Sequence, residues 1–141
     1  STPLYSSAAS DVYKRQEFYK GVACPYGYIN TSEGLRLDFE AIEGGIQKGA
    51  KHIFYNNYNN PTGASSPDEE IERLAKLVID NDIFLISDDA YFDTLYDGTP
   101  KSIASLPGMY ERTLTMYTFS KKFAMTGLSS FSVQTTALVG W

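Results

Sequence analysis

The feature that most constrains the fold of this chain is an amphipathic helix pattern between two short runs of strand length. Its apolar stripe follows the spacing i, i+3, i+4, i+7 and consists of Ile71, Leu74, Ala75 and Val78. This spacing predicts a helix that buries one side. The flanking runs are His52 to Asn56 and Ile83 to Ile86, and the second is apolar throughout, as in a strand covered on both faces. The pattern therefore predicts a strand, a helix and a parallel strand in succession.

Capping residues predict the two ends of this helix. Ser66 is expected to be the N-cap, with Pro67 at the first helical position and Glu69 completing a capping box. Asn81 is the predicted stop, because Asn accepts the conformation that commonly ends a helix.

The residues before the crossover predict a strand, turns and a second helix. The strand is expected at Gly21 to Cys24. Turn-forming residues follow, at Pro25, Gly27, Asn30 and Gly34. Asp38 is expected to cap the helix, although two glycines weaken its propensity. The apolar face of that helix consists of Phe39, Ile42 and Ile46.

Composition indicates one modest globular domain. The chain has 141 residues, of which 43% are hydrophobic and 14% aromatic, and this is enough for a packed core. The 12 Lys and Arg residues against 17 Asp and Glu residues give a net charge of -5. No basic run or stripe that would neutralise phosphates is present in the sequence, so we expect no nucleic-acid partner.

The few cysteines and histidines also limit the possible sites. Cys24 has no partner for an internal disulfide, and one His gives no zinc-type cluster, so no metal site is expected. A reducing, cytoplasmic setting fits this composition. No run approaches the roughly 18 apolar residues that span a bilayer, and the first residues lack the order of a signal peptide. We therefore expect no membrane partner.

Polar residues follow three predicted strands at the points where the strands end. Asn60 lies in the loop after the first strand, and Asp88 and Tyr91 follow the second. A third strand, Thr113 to Phe119, leads to Lys121. Because ligands of open α/β sheets collect outside the carboxyl ends of the strands, we expect these side chains to meet in one cavity. The two consecutive acids after the second strand are costly there unless a cationic group meets them.

Three short motifs occupy these strand ends. They are N-P-T-G at 60–63, S-D-D-A-Y at 87–91, and T-F-S-K at 118–121 followed by F-A-M-T-G-L at 123–128. In this order they resemble the fold type I pyridoxal-phosphate enzymes, specifically the class I and II aminotransferases. The resemblance implies an α/β fold that is an incomplete part of a three-layer α/β/α large domain with a mostly parallel sheet. It also implies pyridoxal 5'-phosphate as the cofactor.

The resemblance implies catalytic roles for three residues. Lys121 matches the lysine whose amine holds the cofactor aldehyde as a Schiff base and later moves the α-proton of the substrate. Asp88 matches the carboxylate that keeps the pyridine nitrogen protonated, so that the ring can accept electrons. Tyr91 matches the tyrosine whose hydroxyl hydrogen-bonds the phenolic oxygen of the cofactor.

Three further positions match residues that bind the cofactor in the family. Asn60 corresponds to the amide that binds the same phenolic oxygen as the tyrosine. Thr118 and Ser120 correspond to hydroxyl-bearing positions that face the phosphate, and Thr118 is the one expected to make the direct contact. Together with the three catalytic residues they form the expected cofactor site, which includes no metal.

The resemblance covers residues 17–128 and divides the chain into three parts. Residues 1–16 are rich in Ser and Ala and are expected to be a disordered or foreign leader. Residues 129–141 depart from the family, with Ser129 where the family has an arginine that binds the cofactor phosphate. The family's glycine- and serine-containing phosphate loop and its small domain also lie outside residues 17–128. We therefore expect an incomplete fragment that is inactive alone.

The motifs describe a cofactor cradle, so three functions stay open. The leading interpretation is an aminotransferase in the parent protein, with an amino acid and a 2-oxo acid as substrates and a homodimer as the expected assembly. The second is a C-S β-lyase of the same fold, which needs no amino acceptor. The third is a non-catalytic, cofactor-sensing domain of a transcription regulator, which a fused DNA-binding module would favour.

Overall fold

The structure, a computed structural model, describes residues 22–125 and 131–134. Its strands are β1 (Tyr28–Thr31), β2 (Gly34–Leu37), β3 (His52–Tyr55), β4 (Phe84–Asp88), β5 (Thr113–Thr118) and β6 (Phe131–Gln134). Its helices are α1 (Phe39–Gln47), α2 (Asp68–Asp80) and α3 (Phe119–Lys122). Short 3-10 helices lie between β4 and β5, at Phe92–Thr94, Ile103–Ser105 and Tyr110–Arg112. No helix in these ranges is long and apolar enough to cross a membrane.

The central sheet has the strand order β3-β4-β5-β6. β3, β4 and β5 are parallel, which confirms the predicted crossover from strand through helix to parallel strand. In the register, Ile53 lies opposite Leu85 and Leu85 lies opposite Thr113. β6 pairs antiparallel with β5, in a part of the chain for which the sequence predicted no element. The carboxyl ends of the three parallel strands therefore meet at one edge of the sheet.

The apolar stripe of α2 packs into the main core. Its four residues are between 0% and 4% exposed, and Leu74 and Val78 are fully buried. They form one cluster with the inward-facing residues of the neighbouring strands, which include Ile53, Tyr55 and Leu85. Complete burial of a side chain such as Leu contributes about 1.5 to 3 kcal/mol. The stripe that the sequence predicted therefore holds this helix against the sheet.

The predicted start of α2 was wrong. The helix begins at Asp68, and Pro67 is its N-cap, with an extended backbone and no side-chain hydrogen bond. The backbone N–H of Ser66 donates to Asn57 Oδ1 over 2.9 Å, so this serine joins the loop after β3 and does not cap the helix. Acidic residues fill the first helical turn and complement the helix dipole there. The predicted end is confirmed, because Asn81 is the C-cap.

The strand predicted at Gly21 to Cys24 was also wrong over its described part, since residues 22–27 form no regular element. β1 and β2 follow them as an antiparallel hairpin. Gly34 has a φ of 108°, which residues with a side chain rarely adopt. Thr31 Oγ1 donates to the carbonyl of Gly34 over 2.8 Å. The turn prediction was wrong for two of its residues, because Asn30 lies in β1 and Gly34 in β2, and the hairpin turn is at residues 32–33.

Helix α1 begins as predicted. Asp38 Oδ1 accepts a hydrogen bond from the backbone N–H of Ala41 over 3.0 Å. The predicted apolar face contacts the core through buried Phe39 and Ile42 and partly buried Ile46. A Cβ at Gly45 would lie 3.3 Å from Cys24 Cβ, so this glycine lets the preceding segment pack closely on the helix. Its low helix propensity is therefore offset by a tight contact.

The opposite face of the central sheet is open in the described residues. Phe54 and Phe84 alternate with core residues along their strands and are 48% and 46% exposed. His52 stacks on Phe84 with 6.2 Å between the ring centroids. The described residues thus form the sheet and the helical layer on one side of it.

Candidate functional site

Asn60 and Tyr91 meet at the carboxyl edge of the sheet. Asn60 follows β3 and Tyr91 follows β4, and Asn60 Nδ2 donates to the hydroxyl of Tyr91 over 3.3 Å. The loop that carries Asn60 is closed on itself, because Gly63 N–H donates to Asn59 O over 2.7 Å and Asn59 N–H donates to Ala64 O over 2.8 Å. This closure fixes the backbone on both sides of Asn60.

Lys121 approaches the same pair from the third strand. α3 starts directly after β5, and its N-cap Thr118 accepts a hydrogen bond from the backbone N–H of Ser120 over 3.2 Å. The Nζ of Lys121 lies 5.3 Å from the centroid of the Tyr91 ring. Lys121 is exposed, and among the described residues it has no ion pair. Its amine is therefore accessible beside the tyrosine.

The neighbouring lysine is held elsewhere. Lys122 Nζ lies 3.0 Å from Asp93 Oδ1, and the hydroxyl of Tyr117 donates to the other oxygen of the same carboxylate. These two hydrogen bonds hold the pKa of Asp93 below its usual value. Desolvation, together with the nearby Asp93, raises the pKa of Tyr117 to about 12. The two adjacent lysines therefore differ in their contacts, because Lys122 is paired with Asp93 and Lys121 is not. The sequence alone did not show this difference.

The two acids after the second strand have different surroundings. β4 extends through Asp88, which is half-buried and accepts a hydrogen bond from the backbone N–H of Ala90 over 3.1 Å. The buried acid is Asp89, which is 5% exposed. Among the described residues, serine hydroxyls and no cationic side chain contact Asp89. The cationic partner expected for Asp88, the ring nitrogen of the cofactor, stays a prediction. Ser87 Oγ donates to Asp89 over 2.6 Å and Ser102 Oγ donates over 3.3 Å.

A cavity of about 520 Å³ lies at this edge of the sheet, and Asn60 and Tyr91 are among its lining residues. The ring of Tyr58 and the segment after Tyr91, including Thr94 and Tyr96, complete much of its wall. Asp88 and Lys121 are not part of that lining. The structure thus brings Asn60, Tyr91 and Lys121 into one cluster, with Asp88 at the adjacent strand end.

Thr118 and Ser120 lie beside this cluster, on the turn from β5 into α3. The Thr118 hydroxyl oxygen is engaged by the backbone as the helix cap. The predicted role of both residues toward a phosphate stays a prediction. Ser129, at the position where an arginine was expected, lies outside the described residues.

A family comparison covers all of these positions. The family profile described as "Aminotransferase class I and II" matches residues 13–137. The chain belongs to the class I and II aminotransferase family. It is 42% identical over 94 residues to aromatic-amino-acid aminotransferase 2 of Thermococcus litoralis, a match that covers 66% of this chain and 24% of the relative. The chain thus spans about a quarter of that relative's length.

Other relatives agree on the family and on the fold. The aspartate aminotransferase of Pyrococcus abyssi is 39% identical over 94 residues, covering 66% of this chain and 24% of that protein. A solved structure of a PLP-bound protein from Clostridium difficile 630 has a TM-score of 0.77 at 23% identity, covering 91% of this chain and 34% of its own. The α/β fold with a mostly parallel sheet, as an incomplete part of the fold type I aminotransferase large domain, is thereby confirmed.

Proposed function

We propose that the parent protein of this chain is a pyridoxal-phosphate-dependent aminotransferase that moves an amino group from an amino acid to a 2-oxo acid. The observation that carries the proposal is the cluster of Asn60, Tyr91 and Lys121, which come from three segments at the carboxyl edge of the sheet. Parallel α/β sheets bind their ligands at this edge. Because the chain spans only part of its relatives, the activity is proposed for the whole protein.

The side chains present fit the chemical groups of pyridoxal phosphate. When bound, this cofactor supplies an aldehyde and a ring that can accept electrons. Lys121 offers an accessible amine for the aldehyde. The Tyr91 hydroxyl accepts its hydrogen bond from Asn60 and so keeps its own proton for an oxygen of the cofactor. Asp88 offers a carboxylate that favours a protonated ring nitrogen.

We assign proton transfer to Lys121 because its neighbour is already engaged. Lys122 Nζ is paired with Asp93 Oδ1 at 3.0 Å. The Lys121 amine lies over the Tyr91 ring, 5.3 Å from its centroid, and we assign to it the removal and return of the substrate proton. Thr118 and Ser120 are the proposed phosphate ligands among the described residues.

The experiment tests which lysine holds the cofactor. The parent protein is incubated with pyridoxal phosphate, the adduct is trapped by borohydride reduction, and the modified peptide is identified by mass spectrometry. We expect the label on Lys121, its loss in Lys121→Ala and its retention in the matched control Lys122→Ala. A label that persists in Lys121→Ala at the same yield would overturn the assignment.

The type of reaction is tested by substrate dependence. Amino transfer requires a 2-oxo acid acceptor, whereas elimination by a C-S β-lyase proceeds without one. Turnover that is independent of added 2-oxo acid would support the lyase, and cofactor binding without turnover on any amino acid would support a sensing domain. The relatives are named for different substrates, namely aromatic amino acids and aspartate, so the substrate stays open within amino acids. The cytoplasmic setting and the homodimer stay predictions.

A further inference from the structure

Asp89 is a buried carboxylate to which the proposed chemistry gives no role. It is 5% exposed, and within the described residues no Lys, Arg or His lies in ion-pair range of it. A buried charge of this kind is costly unless hydrogen bonds compensate it. Ser87 and Ser102 supply those hydrogen bonds, at 2.6 Å and 3.3 Å. The carboxylate of Asp89 thus connects two serine hydroxyls.

The two hydroxyls lie at opposite ends of the segment that carries Tyr91. Ser87 belongs to β4, whereas Ser102 comes directly before the 3-10 helix Ile103–Ser105, whose first residue is 1% exposed in the core. The backbone N–H of Asp89 donates to the carbonyl of Met116 over 2.9 Å and so ties Asp89 to β5. The carboxylate of Asp89 thus closes a loop whose two ends are both fixed to the core.

A second connection joins this loop to the one that carries Asn60. The hydroxyl of Tyr58 accepts a hydrogen bond from the backbone N–H of Lys101 over 3.2 Å, next to Ser102. The Tyr58 ring also meets Phe92 edge to face, with 6.0 Å between the centroids. The Lys101 ammonium in turn pairs with Asp68 and Glu72 of α2, at 3.0 Å and 3.2 Å. The far end of the Tyr91 segment is therefore fixed to the Asn60 loop and to α2 together.

We propose that Asp89, acting through Ser102, is a positioning residue that sets the separation of Asn60 and Tyr91. It holds the Tyr91 segment closed against the core, so that the Tyr91 hydroxyl stays within 3.3 Å of Asn60 Nδ2. Asp89 lies two residues before Tyr91, so a shift of its carboxylate moves the backbone that carries the tyrosine. A catalytic benefit of this positioning rests on the proposed function. The effect of Asp89 on the separation of Asn60 and Tyr91 does not.

The test follows the side-chain amide of Asn60 by nuclear magnetic resonance in the isotopically labelled full chain without cofactor. Tyr91→Phe removes the hydroxyl that accepts from this amide, and it gives the reference shift for a broken contact. We expect Ser102→Ala and Asp89→Ala to shift the Asn60 amide signal in the same direction as Tyr91→Phe. Asp89→Asn, which keeps groups that can bond both serines, is expected to leave the signal close to that of the wild type.

Ser105→Ala is the matched control. Ser105 is an exposed serine in the same 3-10 helix, and its hydroxyl donates to the carbonyl of Ser102 and not to Asp89. We expect it to leave the Asn60 signal unchanged. If Ser102→Ala lowers the denaturation midpoint but leaves the Asn60 signal in place, Asp89 only stabilises the fold and the proposal is wrong. Ser102→Ala decides this even where Asp89→Ala does not fold, because it removes a single half-buried hydroxyl.

The parent protein gives an independent readout. The pH at which the absorbance of bound cofactor changes depends on the groups around its phenolic oxygen, so Ser102→Ala should move that pH and Ser105→Ala should not. An unmoved pH in Ser102→Ala, at full cofactor occupancy, would contradict the positioning role. If the parent protein binds no cofactor at Lys121, the proposed function is wrong. The positioning role of Asp89 is then tested by the Asn60 amide signal alone.

Discussion

The side-chain amide of Asn60 donates to the hydroxyl of Tyr91 over 3.3 Å, although 31 residues separate the two in the chain. They are neighbours because each follows a parallel strand, and adjacent parallel strands end at the same edge of a sheet. The contact places two hydrogen-bonding side chains side by side in front of the exposed amine of Lys121. In the proposed enzyme both would face one oxygen of the cofactor.

The first prediction concerns Tyr91 in the parent protein. Tyr91→Phe should weaken the binding of pyridoxal phosphate by about tenfold, because a lost hydrogen bond to a charged oxygen costs roughly 1.5 kcal/mol or more. The dissociation constant is measured by absorbance titration. Tyr96→Phe is the control, since Tyr96 also lines the cavity but its side chain is fully exposed. Equal weakening by both substitutions would show that the Tyr91 hydroxyl makes no specific contact.

The second prediction concerns the core. Leu74→Ala should lower the free energy of unfolding by about 2 to 5 kcal/mol, because Leu74 is fully buried and its truncation leaves a cavity. Ile79→Ala on the same helix is the control and should cost much less, because Ile79 is 38% exposed. Both values come from denaturant unfolding monitored by circular dichroism. Similar losses for the two variants would contradict the packing of α2 on the sheet.

The third prediction concerns the pH dependence that Asp89 confers. Burial raises the pKa of Asp89 above its ordinary value of 3.8, against the opposing effect of the two serine hydroxyls. The folded state therefore holds the Asp89 proton more tightly than the unfolded chain, so the stability from this group is complete below the ordinary pKa. That stability is lost as the pH rises through the higher folded pKa.

The variant Asp89→Asn lacks this ionisation. The unfolding free energy of Asp89→Asn minus that of the wild type should therefore increase as the pH rises from about 3 to about 7. Urea unfolding at a series of pH values measures the difference, with Asp97→Asn, on the exposed loop, as the control. A difference between Asp89→Asn and the wild type that is constant across this range would contradict a raised pKa.

The fourth prediction concerns Tyr117 and Asp93. The pKa of Tyr117 is raised to about 12, first by desolvation and then by its hydrogen bond and proximity to Asp93. Asp93→Asn should lower that pKa toward the usual 10 without reaching it, because desolvation remains. The titration is followed by ultraviolet difference spectra against Tyr117→Phe. No change of the Tyr117 titration in Asp93→Asn would show that the carboxylate has no influence on the phenol.

Much of the fold was predictable because its signals are local. The stripe from Ile71 to Val78 predicted the helix that packs on the sheet. The predicted strand ends indicated that Asn60, Tyr91 and Lys121 lie at one edge of the sheet. The start of α2 was not predictable from capping rules, because Asn57, nine residues upstream, binds the Ser66 amide. That competing hydrogen bond depends on the path of the loop after β3, which no short window of sequence contains.

The electrostatics of the site were less predictable for the same reason. The sequence contains two consecutive acids after a buried strand, and the family resemblance assigned the functional role to Asp88. The structure buries Asp89, and its partner Ser102 comes from 13 residues further along. Period-2 alternation along β4 could have indicated which acid faces the core, because Leu85 and Ser87 are both buried and Asp89 continues their side. No local signal pointed to Ser102 or to Asp93.

The fifth prediction is that the 141-residue chain alone will not catalyse transamination. Lys121 can react with an aldehyde, but retention of the cofactor requires its phosphate to be held, and the position expected for an arginine is Ser129. A charge-assisted hydrogen bond contributes roughly 1.5 to 3 kcal/mol, so its absence weakens binding by about one to two orders of magnitude. Positioning of the substrate is a second requirement, and this chain spans only about a quarter of the length of the relative that it matches.

The sheet adds a third obstacle, because Phe54 and Phe84 expose a face on which copies of the chain can associate before they bind a ligand. The measurement is amino transfer to 2-oxoglutarate by the purified chain with added pyridoxal phosphate, across a panel of amino acids. Free cofactor and Lys121→Ala are the references, and we expect all three rates to agree. A rate for the chain that exceeds both references would mean that Asn60, Asp88, Tyr91 and Lys121 suffice for the reaction, and that the remaining segments contribute less than the binding argument requires.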